Sequence, residues 1–168
     1  MIKMIDYPSL NFNERPKGVS PDMIIIHYTG MKTAQDALER LCNADLNQPL
    51  GRVSAHYTID LNGDLYAHVH PDKRAWHAGV SVWQGREGLN DFSIGIELVN
   101  KGHEHGYHAF PDAQIEALLQ LIETLRAQYD IPLDYVLGHE DIAPDRKQDP
   151  GPLFPWDVLV QRGLALRP

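Results

Sequence analysis

Met23-Ile24-Ile25-Ile26 is an unbroken apolar run closed by His27 and Tyr28. A strand covered on both faces shows no alternation, so the run predicts a fully buried strand over Met23 to Tyr28. Ser93 to Val99, largely apolar around Glu97, predicts a second buried strand. Further on the period changes. Ile115, Leu118, Leu119, Ile122 and Leu125 recur at three- and four-residue spacing, the stripe of an amphipathic helix laid over a sheet, expected from Asp112 to about Tyr129. Thr33 can cap an earlier helix running to about Asn43, with Asp36 three positions on as in a capping box and Ala37, Leu38 and Leu41 on its inner face. Val53 to Ile59 and Leu65 to Val69 flank Asn62-Gly63, which predicts a hairpin. Val136 to Gly138 reads as a brief strand leading to His139, and a last helix is expected from near Trp156 to Gly163. Residues 1–22 carry Pro8, Asn11, Asn13, Pro16, Gly18 and Pro21 and are expected to run irregularly over the core. Strands and helices interleave, so the fold class is α/β with a mixed central β-sheet flanked by helices.

Composition narrows the setting. The chain has 168 residues, of which 43% are hydrophobic, enough for one substantial core, and no shift in composition marks a second domain; 1–168 is expected to be a single domain. No internal repeat or low-complexity tract is visible. The first residues contain no apolar stretch with a small-residue cleavage site, and nowhere do about 18 apolar residues run together, so neither a signal peptide nor a membrane span is expected. Cys42 is the single cysteine; the chain needs no oxidising compartment, which makes the cytoplasm the expected location and the periplasm the alternative. The net charge of -8 opposes binding to nucleic acid or to an anionic membrane. A small or sugar-like partner is expected, and a monomer.

Three residues can hold a metal. His27 ends its strand at the carboxyl edge, where open α/β sheets bind ligands. His139 follows Gly138, and Asp149 precedes Pro150, which biases it to an extended conformation on a stiff turn. Two His and one carboxylate leave a coordination position for water, the arrangement of a catalytic zinc site. Glu97 lies in the apolar strand Ser93-Ile94-Gly95-Ile96-Glu97-Leu98; burial there raises a carboxyl pKa toward that of a general acid or base, the structural alternative being a buried ion pair. Lys147 can stabilise an oxyanion beside the metal, or be a solvated lysine. The segment Asp72 to Gly79 places Trp76, His77 and two cations in a predicted loop, suited to stacking on a sugar or amide, and Arg52, Arg74 and Arg86 can clamp carboxylates. His68 with His70, and the group His103, His105 and His108, are read as structural or loop histidines rather than metal sites. Cys42 is read as an inert packed thiol. No His-Glu-x-x-His helix, Gly-x-Ser-x-Gly elbow or phosphate-binding loop occurs.

Ile26-His27-Tyr28-Thr29, Val53-Ser54-Ala55-His56, Arg74-Ala75-Trp76-His77-Ala78-Gly79, Leu89 to Glu97 and Gly138 to Pro152 together resemble, in order, the AmpD-like zinc N-acetylmuramoyl-L-alanine amidases, also called type 2 amidases. The resemblance runs from about His27 to Trp156. It implies a fold shared with phage lysozyme-amidases and peptidoglycan recognition proteins, and hydrolysis of the amide between the lactyl group of N-acetylmuramic acid and L-alanine. It further implies one zinc ion per chain on His27, His139 and Asp149, with Glu97 taking the water proton and Lys147 stabilising the oxyanion. Tyr28, His56, Trp76, His77 and Asn90 match groove positions, and Arg52 and Arg86 are candidates for stem-peptide carboxylates. The expected partners are muropeptides, 1,6-anhydro and also intact. The short connection before Val53 suggests an open groove; Leu153-Phe154-Pro155-Trp156 resembles membrane-anchored relatives, while the missing export signal favours wall recycling. The alternatives are a non-catalytic peptidoglycan-binding module and a zinc peptidase acting on the stem peptide.

Overall fold

The computed structural model describes residues 2–167; Met1 and Pro168, the outermost residues of the expected domain, lie outside it. In chain order the strands are β1 (Met4–Asp6), β2 (Phe12–Glu14), β3 (Met23–Tyr28), β4 (Tyr57–Ile59), β5 (Leu65–Ala67), β6 (Lys73–Ala75), β7 (Val82–Trp83), β8 (Arg86–Glu87), β9 (Ser93–Leu98) and β10 (Val136–Gly138). The helices are α1 (Ala34–Cys42), α2 (Gly102–His105), α3 (Asp112–Tyr129), α4 (His139–Ile142) and α5 (Trp156–Gln161). Six strands form the main sheet in the order β1-β5-β4-β9-β3-β10. All neighbours in it are parallel except the β4–β5 hairpin, so the mixed sheet is as expected.

β3 sits inside this sheet with both faces covered, which is why its sequence shows no alternation. Ile24 and Ile26 face the larger core with Leu118 and Ile122 of α3, while Met23 and Ile25 face the smaller cluster with Ala78, Leu89, Leu137 and Ile142. Fully burying each such Leu or Ile is worth about 1.5–3 kcal/mol. α3 follows its predicted stripe, and Gln114 at its start donates to the carbonyls of Ile59 and Val99, tying the helix to two strand ends. Thr33 caps α1 by accepting from the Asp36 N–H at 3.1 Å.

Register positions the chemistry. In the β3–β9 pair His27 lies opposite Glu97, and in the β10–β3 pair Gly138 lies opposite Ile26, so His139 begins α4 beside His27. Because β3, β9 and β10 run parallel, their carboxyl ends share one edge.

Several boundaries differ from expectation. Residues 1–22 are not wholly irregular: β1 is an edge strand of the main sheet and β2 pairs with β6. Strands of three residues are too short to display a period. Val53 to Ala55 does not continue the hairpin; the carbonyl of His56 still accepts from His68 N–H at 2.9 Å, but His56 N–H bonds Gly95 and Ser54 N–H bonds Trp76, pulling the preceding stretch toward other partners. β6 occupies part of the expected 72–79 loop, α2 lies where His103 and His105 are expected in a loop, and the last helix ends at Gln161, with Gly163 in the left-handed region at φ 67° closing the turn.

Candidate active site

His27, His139 and Asp149 converge as expected. All three are buried, at 1%, 4% and 6% exposure, with their ligand atoms within 4.8 Å of one another. The Nδ1 atoms of the two imidazoles lie 3.0 Å apart, and each is 3.2 Å from Asp149 Oδ2. The other ring nitrogens are engaged: His139 Nε2 lies 3.0 Å from the Ala78 carbonyl and His27 Nε2 lies 2.9 Å from His77 Nδ1. A carbonyl only accepts, so His139 carries its proton on Nε2 and turns the Nδ1 lone pair toward Asp149 and His27. A buried carboxylate and imidazole lone pairs aimed at one point suit a cation, and the donor set of two nitrogens and one oxygen fits zinc.

The turn bearing Asp149 is held at several points. Its carbonyl accepts from Glu140 N–H at 2.9 Å, and Tyr107 Oη donates to the Pro150 carbonyl at 2.6 Å while accepting from Leu153 N–H at 3.0 Å. Burial pushes the Asp149 carboxyl upward, but hydrogen bonds and charge from His139 and His27 outweigh it and hold it well below the usual carboxylate range. Burial, reinforced by His139, brings His27 down to about 4 against the opposing pull of Asp149.

Glu97 has the opposite bias. Burial first, then the neighbouring Asp149 charge, push its carboxyl well above the ordinary value, with Lys147 opposing. Its Oε2 is buried without a partner among the described residues, an arrangement that leaves a proton acceptor free. A cavity of about 340 Å³ joins the triad to Glu97, Lys147, Trp76, Tyr28 and His103. Arg52 borders an adjoining hollow of about 290 Å³ with Trp76 and Lys147, its guanidinium 5.2 Å from the indole centroid. This assembly has the parts for hydrolysis: a metal-type site, a buried base and an ammonium.

Residues 17–152 match the N-acetylmuramoyl-L-alanine amidase family. The chain belongs to that family. It is 40% identical over 161 residues to the 1,6-anhydro-N-acetylmuramyl-L-alanine amidase AmpD of Salmonella typhimurium strain SL1344, covering 89% of this chain and 84% of that protein. A crystal structure of an AmpD derivative superposes with a TM-score of 0.82 at 36% identity, covering 98% of this chain and 94% of the other. The chain is also 40% identical over 158 residues to the amidase AmiD of Escherichia coli K12, covering 87% of this chain but only 54% of AmiD, so it spans about half that relative's length. AmiD in complex with anhydro-N-acetylmuramic acid-L-Ala-D-gamma-Glu-L-Lys superposes with a TM-score of 0.78 at 34% identity, over 94% of this chain and 68% of that one.

Within this amidase-family site the sequence-predicted residues divide. The triad, Glu97, Lys147, Tyr28, Trp76 and His77 line the main cavity, and Arg52 flanks it. His56 does not reach it: at 0% exposure its Nδ1 accepts from Gly95 N–H at 2.9 Å and its Nε2 lies 2.9 Å from the Lys73 carbonyl. It is part of the packed sheet wall. Arg86 stands apart as well, lining neither hollow: its Nη1 is bonded to both Asp22 oxygens at 3.1 and 3.0 Å, its guanidinium lies near the Phe92 and Tyr135 rings, and its Nη2 is buried without a partner among the described residues. Asn90 borders the side hollow, but its Oδ1 accepts from the backbone N–H groups of His77 and Ala78 at 3.0 and 2.8 Å.

Arg146 and Tyr107 escaped the sequence reading. Arg146 Nη2 donates to Ala78 and Val80 carbonyls at 3.1 and 2.6 Å and lines the cavity; its place beside Lys147 was the available signal. His103, read as a loop residue, stacks on Tyr107 with centroids 4.4 Å apart and lies 2.7 Å from Tyr28 Oη. His68 is the expected structural histidine, buried against Thr58 Oγ1 at 2.8 Å and the Tyr7 carbonyl at 2.6 Å. Burial pushes the Cys42 thiol up to about 11, consistent with an inert role.

Proposed function

We propose that the chain hydrolyses the amide between the lactyl group of N-acetylmuramic acid and L-alanine, with 1,6-anhydro-muropeptides as first substrates and intact ones also accepted, using one zinc ion. The observation that carries the reading is the free, buried Oε2 of Glu97 in one cavity with the triad and Lys147. His27, His139 and Asp149 would hold the ion, which supplies Lewis-acid polarisation and a more acidic water. Glu97 takes the proton of the attacking water, and its raised proton affinity suits it to pass that proton to the departing alanine nitrogen as the C–N bond breaks. Lys147 presents its ammonium to the oxyanion formed at the former amide carbonyl. Trp76 offers a flat face to sugar or peptide, Arg52 a cation for a stem carboxylate, and Tyr28 a groove wall. The 1,6-anhydro preference rests on the names of the AmpD relatives, of which the chain spans most of the length.

Nucleic acid and anionic membranes are not proposed as partners, since the charge of -8 repels both; among the described residues no helix is long and apolar enough to cross a membrane. A monomer acting in the cytoplasm is the proposed setting.

Mass spectrometry of products from zinc-loaded protein given an anhydro-muropeptide or an intact muropeptide, beside Glu97→Ala, tests the reading. Free stem peptide beginning at L-alanine, lost in the variant, is expected. Cleavage within the stem would make the protein a zinc peptidase, and binding without cleavage would make it a recognition module.

A further inference from the structure

His27 Nε2 does not end at solvent or at a backbone carbonyl; it opens a chain of side chains running away from the metal-type site. His77 Nδ1 is 2.9 Å from His27 Nε2, His77 Nε2 is 3.1 Å from Ser93 Oγ, and Ser93 Oγ is 2.7 Å from the Leu89 carbonyl. Protons can be ordered along such a chain in two ways. If Ser93 donated to His77, each imidazole would pass the order on and a proton would sit on His27 Nδ1, pointing at Asp149. If Ser93 donates to Leu89, His77 donates from Nε2 and accepts at Nδ1, His27 donates from Nε2, and His27 Nδ1 is a bare lone pair. The shorter distance from Ser93 Oγ to the carbonyl is that of an ordinary O–H···O bond and selects the second order.

We propose that Ser93 and His77 form a positioning relay that locks His27 in the Nε2-protonated tautomer, so that its Nδ1 is presented to the metal. The inference rests on the reading that His27, His139 and Asp149 hold a metal. It reassigns His77 from groove contact to ligand support.

The surrounding backbone is shaped for this ring. A Cβ on Gly95 would stand 2.6 Å from both Cδ2 and Nδ1 of His77, so the ring occupies the space that the missing side chain leaves on β9. Asn90 Oδ1 binds the N–H groups of His77 and Ala78, and the Ala78 carbonyl orients His139. One amide thus sets the backbone that supports both imidazole ligands. Supports of this type fix ring orientation and raise ligand basicity, and their loss costs about 10–100-fold in metal affinity.

The test measures zinc dissociation constants by chelator competition for wild type, His77→Ala and Ser93→Ala, with imidazole nitrogen NMR on the zinc-loaded wild type. Expected are a roughly 10–100-fold weaker constant for His77→Ala, a smaller loss for Ser93→Ala, and a His77 protonated at Nε2 and bare at Nδ1. A His77 protonated at Nδ1 overturns the relay, as does zinc affinity in His77→Ala unchanged within about twofold against that expectation. Should His77→Ala fail to fold, the wild-type spectrum and Ser93→Ala decide alone. A wild type that takes up no zinc would instead remove the metal reading beneath the relay.

Discussion

Asn90→Ala is the substitution that best separates a substrate contact from a structural clamp. Asn90 is 9% exposed, and its Oδ1 is the acceptor for two backbone donors, His77 N–H at 3.0 Å and Ala78 N–H at 2.8 Å. Truncation leaves both donors without that partner. A buried donor left unsatisfied costs about 1–3 kcal/mol; a little water reaching the side hollow lowers the sum, so about 2–4 kcal/mol is expected for the pair. With a urea slope of about 2 kcal/mol per molar, the unfolding midpoint of the metal-free variant should fall by roughly 1–2 M. Zinc affinity should fall too, because the displaced segment carries His77 and the Ala78 carbonyl. Asn90→Asp, which keeps an oxygen in place, should recover much of the midpoint. A midpoint within about 0.3 M of wild type together with a raised KM would refute the argument and return Asn90 to the substrate groove.

His56 makes a pH prediction. Burial, reinforced by Arg15 and opposed by its bond to the Lys73 carbonyl, brings this imidazole from 6.5 to about 3. The folded protein therefore keeps it neutral where the unfolded chain protonates, so its stabilisation is complete above about pH 6.5 and is lost as pH falls toward 3. Between pH 6.5 and 5 the loss should be about 2 kcal/mol, read by urea unfolding, and the slope should be shallower in His56→Gln; equal slopes in the two proteins would rule the assignment out. Tyr107→Phe removes the donor to Pro150 and the acceptor for Leu153. It should cost about 1–3 kcal/mol and weaken zinc binding by freeing the Asp149 turn. An unchanged zinc constant would mean that the Glu140 bond to the Asp149 carbonyl holds the turn by itself.

The site depends on strand direction more than on any one residue. Antiparallel pairing of β3 with β9 would send their carboxyl ends to opposite edges; parallel pairing puts His27 opposite Glu97 and brings the start of α4 alongside. The β4–β5 hairpin is the antiparallel exception; because β4 runs parallel to β9, with Ile59 opposite Leu98, its tight turn leaves from this same edge and packs against the start of α3. There Gly63 has a φ of 87°, and a Cβ on it would stand only 2.8 Å from the Ala113 carbonyl oxygen, so the turn admits only glycine.

Elements whose periods are long enough to read, and residues whose chemistry is uncommon, are written in the chain itself. An unbroken apolar run specified β3, a largely apolar run around Glu97 specified β9, and a sustained stripe specified α3 at its observed bounds, because burial on two faces or on one stripe leaves a local imprint on composition. The His27, His139 and Asp149 cluster, with Glu97 and Lys147 in the same cavity, was legible because few residue types suit a metal site or a buried base and they stand in a recognisable order. Packing settled the rest. Whether His56 faces the groove or the sheet wall, whether Arg86 meets a ligand or Asp22, and whether His77 touches substrate or His27 all depend on partners distant in the chain. The short pairings of β1 and β2 are of the same kind. Side-chain orientation and hydrogen-bond partnership follow from which segments come together, and a histidine or arginine carries no local mark of the neighbour it will find.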